Sequence, residues 1–169
     1  MAYVPDTPRL EEYMTGMQYL NFVCDIYQIS AKERKQNIER LIHAFQMEPH
    51  ISGLISSYSH GMKQKVALIA AFSHNPKLLV LDEPFVGLDP EAFIALKEQM
   101  KMLCRKGSSI LFSSHILDVV EKLCNIISII KDGRLLYSGT TEELIGVEGL
   151  EEAFMELNSN ESFDPSIEK

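Results

Sequence analysis

The chain has 169 residues, 46% of them hydrophobic, which fits one ordinary domain, or one plus a small lobe, and excludes a disordered tail. Lys and Arg total 16 against 24 Asp and Glu, for a formal charge of −8, and seven of those acids lie in residues 147–169 beside a single base. The absence of a basic stripe to neutralise phosphate backbones argues against nucleic-acid binding as the main role.

The chain opens with Ala2-Tyr3-Val4, an extended piece stopped by Pro5 and Pro8. Met1–Asp6 lacks the basic start and apolar stretch of a signal peptide. Thr15-Gly16-Met17-Gln18 reads as a capping box ahead of an apolar helical face, and Ser30-Ala31-Lys32-Glu33 reads as a second one. Pro49 and Gly53 close this lobe, so residues 14–53 form a small helical unit. A third helix, capped by Ser59, runs to about His74 and includes the apolar run Val66–Phe72, far short of the about 20 residues that span a bilayer.

The texture then changes. Leu78-Leu79-Val80-Leu81 reads as a parallel strand covered on both faces, and Ser109–Ser113 as a second strand of that buried type. Between them a helix starts at Asp89-Pro90, with proline at its first position. Helix 116–123, strand 126–130, an Asp132-Gly133 hairpin turn and strand 134–138 follow, and Thr140-Thr141-Glu142-Glu143 caps a short helix. The end from about Asn158 reads as frayed. Helices alternating with strands predict an α/β fold with a parallel sheet. The expected segments are 1–75, 76–146 and an acidic helix and tail over 147–169.

The chemistry is concentrated in four places. Asp82 and Glu83 stand at the C-terminal end of an apolar strand, where α/β sheets bind ligands. Two adjacent acids there can divide labour, one near a magnesium ion and one orienting or deprotonating a water. The bland alternative is a strand that ends in a solvated acidic turn. Upstream, Ser59 caps a helix and Gly61 lets backbone approach a ligand, so the helix N-terminus suits an anion. On those residues alone, an ordinary capped surface helix is the preferred reading. Gly87-Leu88-Asp89-Pro90 follows, and His115 closes the next strand, where an imidazole can contact a terminal phosphate. The histidines show no metal-ligand spacing with Cys24, Cys104 and Cys124, so no zinc site is expected. Without CxxC or disulfide spacing, those three cysteines favour a reducing compartment.

In this order and spacing, the four elements resemble the ATP-binding subunit of an ABC transporter. Tyr58-Ser59-His60-Gly61-Met62 is similar to the family's signature, Leu78–Glu83 to Walker B plus the catalytic glutamate, Gly87-Leu88-Asp89 to the D-loop, and His115 to the switch histidine. The likeness covers roughly residues 2–145. It implies a partial P-loop NTPase (RecA-like) core, with parallel strands flanked by helices, plus the ABC-type α-helical subdomain. It also implies roles: Asp82 for magnesium, Glu83 for the attacking water, His115 for the γ-phosphate, and Ser59, His60, Gly61, Met62 and Asp89 around ATP held with a second subunit. ATP and Mg2+ are the implied cofactors. The implied partners are a second nucleotide-binding domain, packed head to tail, and a transmembrane permease at the inner face of the cell membrane. A non-transport ABC-type ATPase and a non-enzymatic permease-docking module are the alternatives.

The chain departs from the family pattern in three ways. Asp6 aligns with the Q-loop, where glutamine is usual, and a carboxylate lacks the amide donors. His60 and Met62 replace the second glycine and the glutamine of the signature. No G-x-x-x-x-G-K-[ST] loop, Walker A, appears in the 169 residues. The resemblance therefore implies a fragment, unlikely to hydrolyse ATP alone, whose strand 109–113 leaves an apolar sheet edge open to self-association.

Overall fold

The computed structural model describes residues 1–145 and 149–159. They form two compact units that divide after Ser113. The first holds β1 (Ala2–Val4), α1 (Gly16–Ile26), α2 (Ala31–Ala44), α3 (His60–Ser73), β2 (Leu78–Leu81), α4 (Pro90–Arg105) and β3 (Ser109–Phe112). The second holds α5 (Leu117–Leu123), β4 (Ile126–Lys131), β5 (Arg134–Thr140), α6 (Thr141–Ile145) and α7 (Leu150–Ser159).

Local chemistry explains the starts of the first three helices in the first unit. Thr15 makes the full capping box with Gln18: its hydroxyl accepts the Gln18 N–H at 3.2 Å, and the Gln18 side chain accepts the Thr15 N–H at 2.8 Å. Ser30 caps α2 differently from the expected box. Its hydroxyl accepts the Glu33 N–H but donates to the Glu33 carboxylate at 2.7 Å, so that carboxylate serves the hydroxyl and not the cap backbone. Ser59 accepts the Met62 N–H, and α3 then runs buried from Gln64 to Ser73 as the central helix of the unit.

The sheet of this unit is parallel, in the order β1-β2-β3, with Val4 opposite Leu81 and Leu81 opposite Phe112. β1 thus pairs with β2 across the expected 75/76 boundary. One face carries Ala2, Val4, Leu79 and Leu81, all buried. Phe112 on this face meets Phe85 edge-on at 6.0 Å, and Phe85 meets Phe93 of α4 at 4.8 Å. Contrary to expectation, β2 and β3 are not buried on both faces. Tyr3, Leu78 and Leu111 lie on the other face and are 58%, 39% and 64% exposed. A continuous apolar run marks a strand suited to two covered faces; helices of this unit cover one.

In the second unit, Asp132 (φ +50) and Gly133 (φ +75) make the tight turn between β4 and β5, which pair antiparallel with an irregularity at Ile129/Ile130. The strands extend to Lys131 and Thr140, slightly beyond the expected 130 and 138. Ile127, Ile129 and Leu150 form the buried cluster, with Leu117, Leu136 and Phe154 packed against it. Thr140 and Glu143 exchange the two capping-box bonds at 3.2 Å each, as expected for α6. Asn158 and Ser159 close α7; the rest of the expected frayed end lies outside the described residues.

Candidate functional site

The C-terminal ends of β1, β2 and β3 share one edge of the sheet. Asp6 follows the first, Asp82 and Glu83 the second, and Ser113 the third. The ladder runs one residue past each strand, because the Asp82 N–H donates to the Val4 carbonyl at 2.9 Å and the Ser113 N–H to the Leu81 carbonyl at 3.0 Å. Asp82 and Glu83 are both half-buried. The Ser113 hydroxyl donates to Asp82 Oδ1 at 2.6 Å and accepts the Glu83 N–H at 3.0 Å. Glu83 has φ +42, the left-handed region, and its carbonyl accepts the Val86 N–H at 3.2 Å to close a turn through Pro84. Such a conformation is costly for a residue with a Cβ, and strain of this kind collects at functional sites. Asp6 is exposed, and the Thr7 hydroxyl donates to it at 3.4 Å.

A second group of residues gathers at the start of α3. Tyr58 is buried, and its hydroxyl is shared between the carbonyls of His50 (2.7 Å) and Gly53 (3.1 Å), which anchors the chain just before the cap. Burial pushes its pKa up. Ser59 and His60 are exposed, Gly61 and Met62 half-buried. Gly61 faces Gly87 so closely that an added Cβ would lie 2.6 Å from the Gly87 carbonyl oxygen. Two residues on, Asp89 uses both carboxylate oxygens: Oδ1 accepts the Ala92 N–H at 2.9 Å, capping α4, and Oδ2 meets Lys65 Nζ at 2.5 Å. Lys65, on α3, is buried. That ion pair, then the Ala92 N–H, holds the Asp89 carboxyl below the usual carboxylate range.

The first unit therefore brings Asp82 and Glu83 together at the sheet edge, and joins Ser59–Met62 to Gly87–Asp89 at the base of α3. His115 opens the second unit. The structure adds Ser113, the Lys65–Asp89 pair and the Gly61–Gly87 approach to the expected residues. Ser113 had a signal: in adjacent parallel strands, the first residue after one stands beside the first residue after the other.

For a divalent cation the donor chemistry at the sheet edge is hard oxygen. Among the described residues no group of three or more His, Cys, Asp or Glu side chains could hold a metal. One or two carboxylates suit magnesium, which keeps several waters and takes phosphate oxygens, and do not suit a closed zinc or calcium cage.

The architecture defines the class: a parallel sheet packed against helices, matching a structural neighbour of P-loop NTPase fold. A family model described as "AAA domain, putative AbiEii toxin, Type IV TA system" matches residues 27–121, more than half of the chain. The chain is 36% identical over 155 residues to the ABC-type transporter ATP-binding protein EcsA of Bacillus subtilis, covering 92% of this chain and 63% of that protein. It is 35% identical over 135 residues to the ABC transporter ATP-binding protein NatA of the same organism, covering 80% and 55%. A solved structure described as "Structure of ATP binding subunit of ABC transporter" superposes with a TM-score of 0.88 at 36% identity, covering 92% of this chain and 67% of that one. The chain belongs to the family of ABC transporter ATP-binding proteins. It spans less than two thirds of the length of either curated relative.

Proposed function

We propose that this chain is part of the ATP-hydrolysing subunit of an ABC transporter and couples hydrolysis to a membrane permease. The observation that carries the reading is the pair Asp82–Glu83 at the C-terminal end of the central parallel strand, with Glu83 held in the left-handed region. Magnesium, when bound with ATP, supplies charge neutralisation between the phosphate oxygens. Asp82 would hold that ion, through water or directly, its carboxylate being oriented by Ser113. Glu83 accepts a hydrogen bond from the attacking water and orients it. Asp6 lies at the neighbouring strand end, within the same edge.

Ser59, His60, Gly61 and Met62 face the nucleotide of a second subunit through the α3 N-terminus, where free N–H groups and the helix dipole favour phosphate. Asp89 holds the turn beneath them through Lys65. His115 acts on the terminal phosphate. The partners are a second nucleotide-binding domain and a permease, with the protein in the cytoplasm at the inner membrane face. No helix among the described residues is long and apolar enough to cross a membrane. Residues 1–169 contain no G-x-x-x-x-G-K-[ST] loop, and we propose that they do not hydrolyse ATP by themselves.

Asp82→Asn tests the reading in protein expressed from its complete reading frame. Asparagine still accepts from Ser113 but carries no charge for the ion. Mg2+-dependent ATP hydrolysis should fall on the order of 100-fold or more. An undiminished rate removes Asp82 from the ion and the reading with it.

A further inference from the structure

We propose that Ser113 is a positioning residue of the Asp82–Glu83 pair, setting the Asp82 carboxylate and the Glu83 backbone with one hydroxyl. The proposal rests on the function given to those carboxylates above. A serine hydroxyl has one proton and two lone pairs. The Glu83 N–H can only donate, so the proton goes to Asp82 and the donor and acceptor roles have a single solution.

Two consequences follow. One Asp82 oxygen is committed at 2.6 Å, which sets the carboxylate plane. The left-handed Glu83 has its N–H tied to the neighbouring strand end and its carbonyl tied to Val86, so its backbone is held on both sides of Cα. The Ser113 N–H bond to the Leu81 carbonyl keeps the hydroxyl at this position in turn. Ser113 is exposed. Water can therefore satisfy both partners once the hydroxyl is removed, and truncation should cost geometry more than stability.

The test compares Ser113→Ala and Ser113→Thr in protein expressed from its complete reading frame. For Ser113→Ala, kcat for ATP should fall about 10–100-fold and the Mg2+ concentration for half-maximal rate should rise about fivefold or more, as for other groups that orient a metal ligand. The KM for ATP and the melting temperature should stay close to the parent values. Threonine keeps the hydroxyl and should restore most of the rate. A readout free of nucleotide comes from NMR: in Ser113→Ala the Glu83 amide proton should shift upfield and exchange faster. A Ser113→Ala protein with parental kcat and Mg2+ requirement overturns the proposal, as does a threonine variant no better than alanine, or an unmoved Glu83 amide. If Asp82→Asn is inactive while Ser113→Ala is unimpaired, the positioning proposal alone fails. If Asp82→Asn retains full activity, the assignment of the carboxylates fails first.

Discussion

At Gly61 an added Cβ would lie 2.6 Å from a backbone oxygen, that of Gly87, which cannot swing aside as a side chain can. The glycine is thus required by packing in the free chain, whatever else it does for phosphate. Gly61→Ala should destabilise the first unit by about 1–3 kcal/mol in denaturant unfolding, the range for forced overpacking. An unchanged midpoint would mean that the turn at Gly87 yields easily. Lost activity in such a variant therefore does not by itself identify a phosphate contact. Asp89 gives the fold a pH dependence. Its pKa lies below the ordinary 3.8, first through Lys65 and then through the Ala92 N–H. A carboxyl depressed by folding adds stability that is whole above the unfolded pKa and is lost as pH falls through the folded one. The parent should lose more stability than Asp89→Asn between about pH 5 and pH 3. Parallel curves would show that the ion pair adds nothing.

The C-terminal caps of α1 and α3 meet where Tyr27 stacks on His74, with ring centroids 3.7 Å apart and planes 7° from parallel. His74 Nδ1 donates to the Ala70 carbonyl at 3.2 Å, and Nε2 is buried with no hydrogen-bond partner among the described residues. Burial holds its pKa below 6.5. Near neutral pH the ring is uncharged in both states; below 6.5 the unfolded chain takes up the proton first, so stability falls from about pH 7 towards pH 5. His74→Phe keeps a ring for the stack and should flatten that slope in a melting series. The sheet makes a second prediction. Leu111, 64% exposed on β3, an edge strand among the described residues, lies with Tyr3 and Leu78 on the sheet face that those residues leave exposed. Such an edge favours association, and Leu111→Lys should lower the concentration-dependent mass of the 169-residue chain in light scattering; a parent that stays monomeric contradicts this. Caps were legible because each depends on neighbours three residues apart, as at Thr15, Ser59 and Thr140. The uncovered face was not, since an apolar run such as Leu78–Leu81 records what a strand can bury and not what lies against it.

In the whole molecule, the order of chemistry along the chain was readable: the start of α3, the acids after β2, the turn at Gly87 and the histidine after β3. What joins those pieces was not. Ser113 touches Asp82 and Glu83 only because β2 and β3 pair in parallel register. Lys65 meets Asp89 only because α3 packs beside the turn that starts α4, 24 residues further along the chain. A sequence shows the residue types and their spacing, whereas strand register and helix contact decide which of them share a proton or a charge. If Glu83 orients the water that hydrolyses ATP, its carboxylate is needed for turnover and not for nucleotide binding. The direct measurement is steady-state phosphate release by Glu83→Gln in protein expressed from its complete reading frame, with Mg-ATP binding measured on the same sample. Turnover should fall on the order of 100-fold or more while binding stays near parental strength. Undiminished turnover would contradict that role.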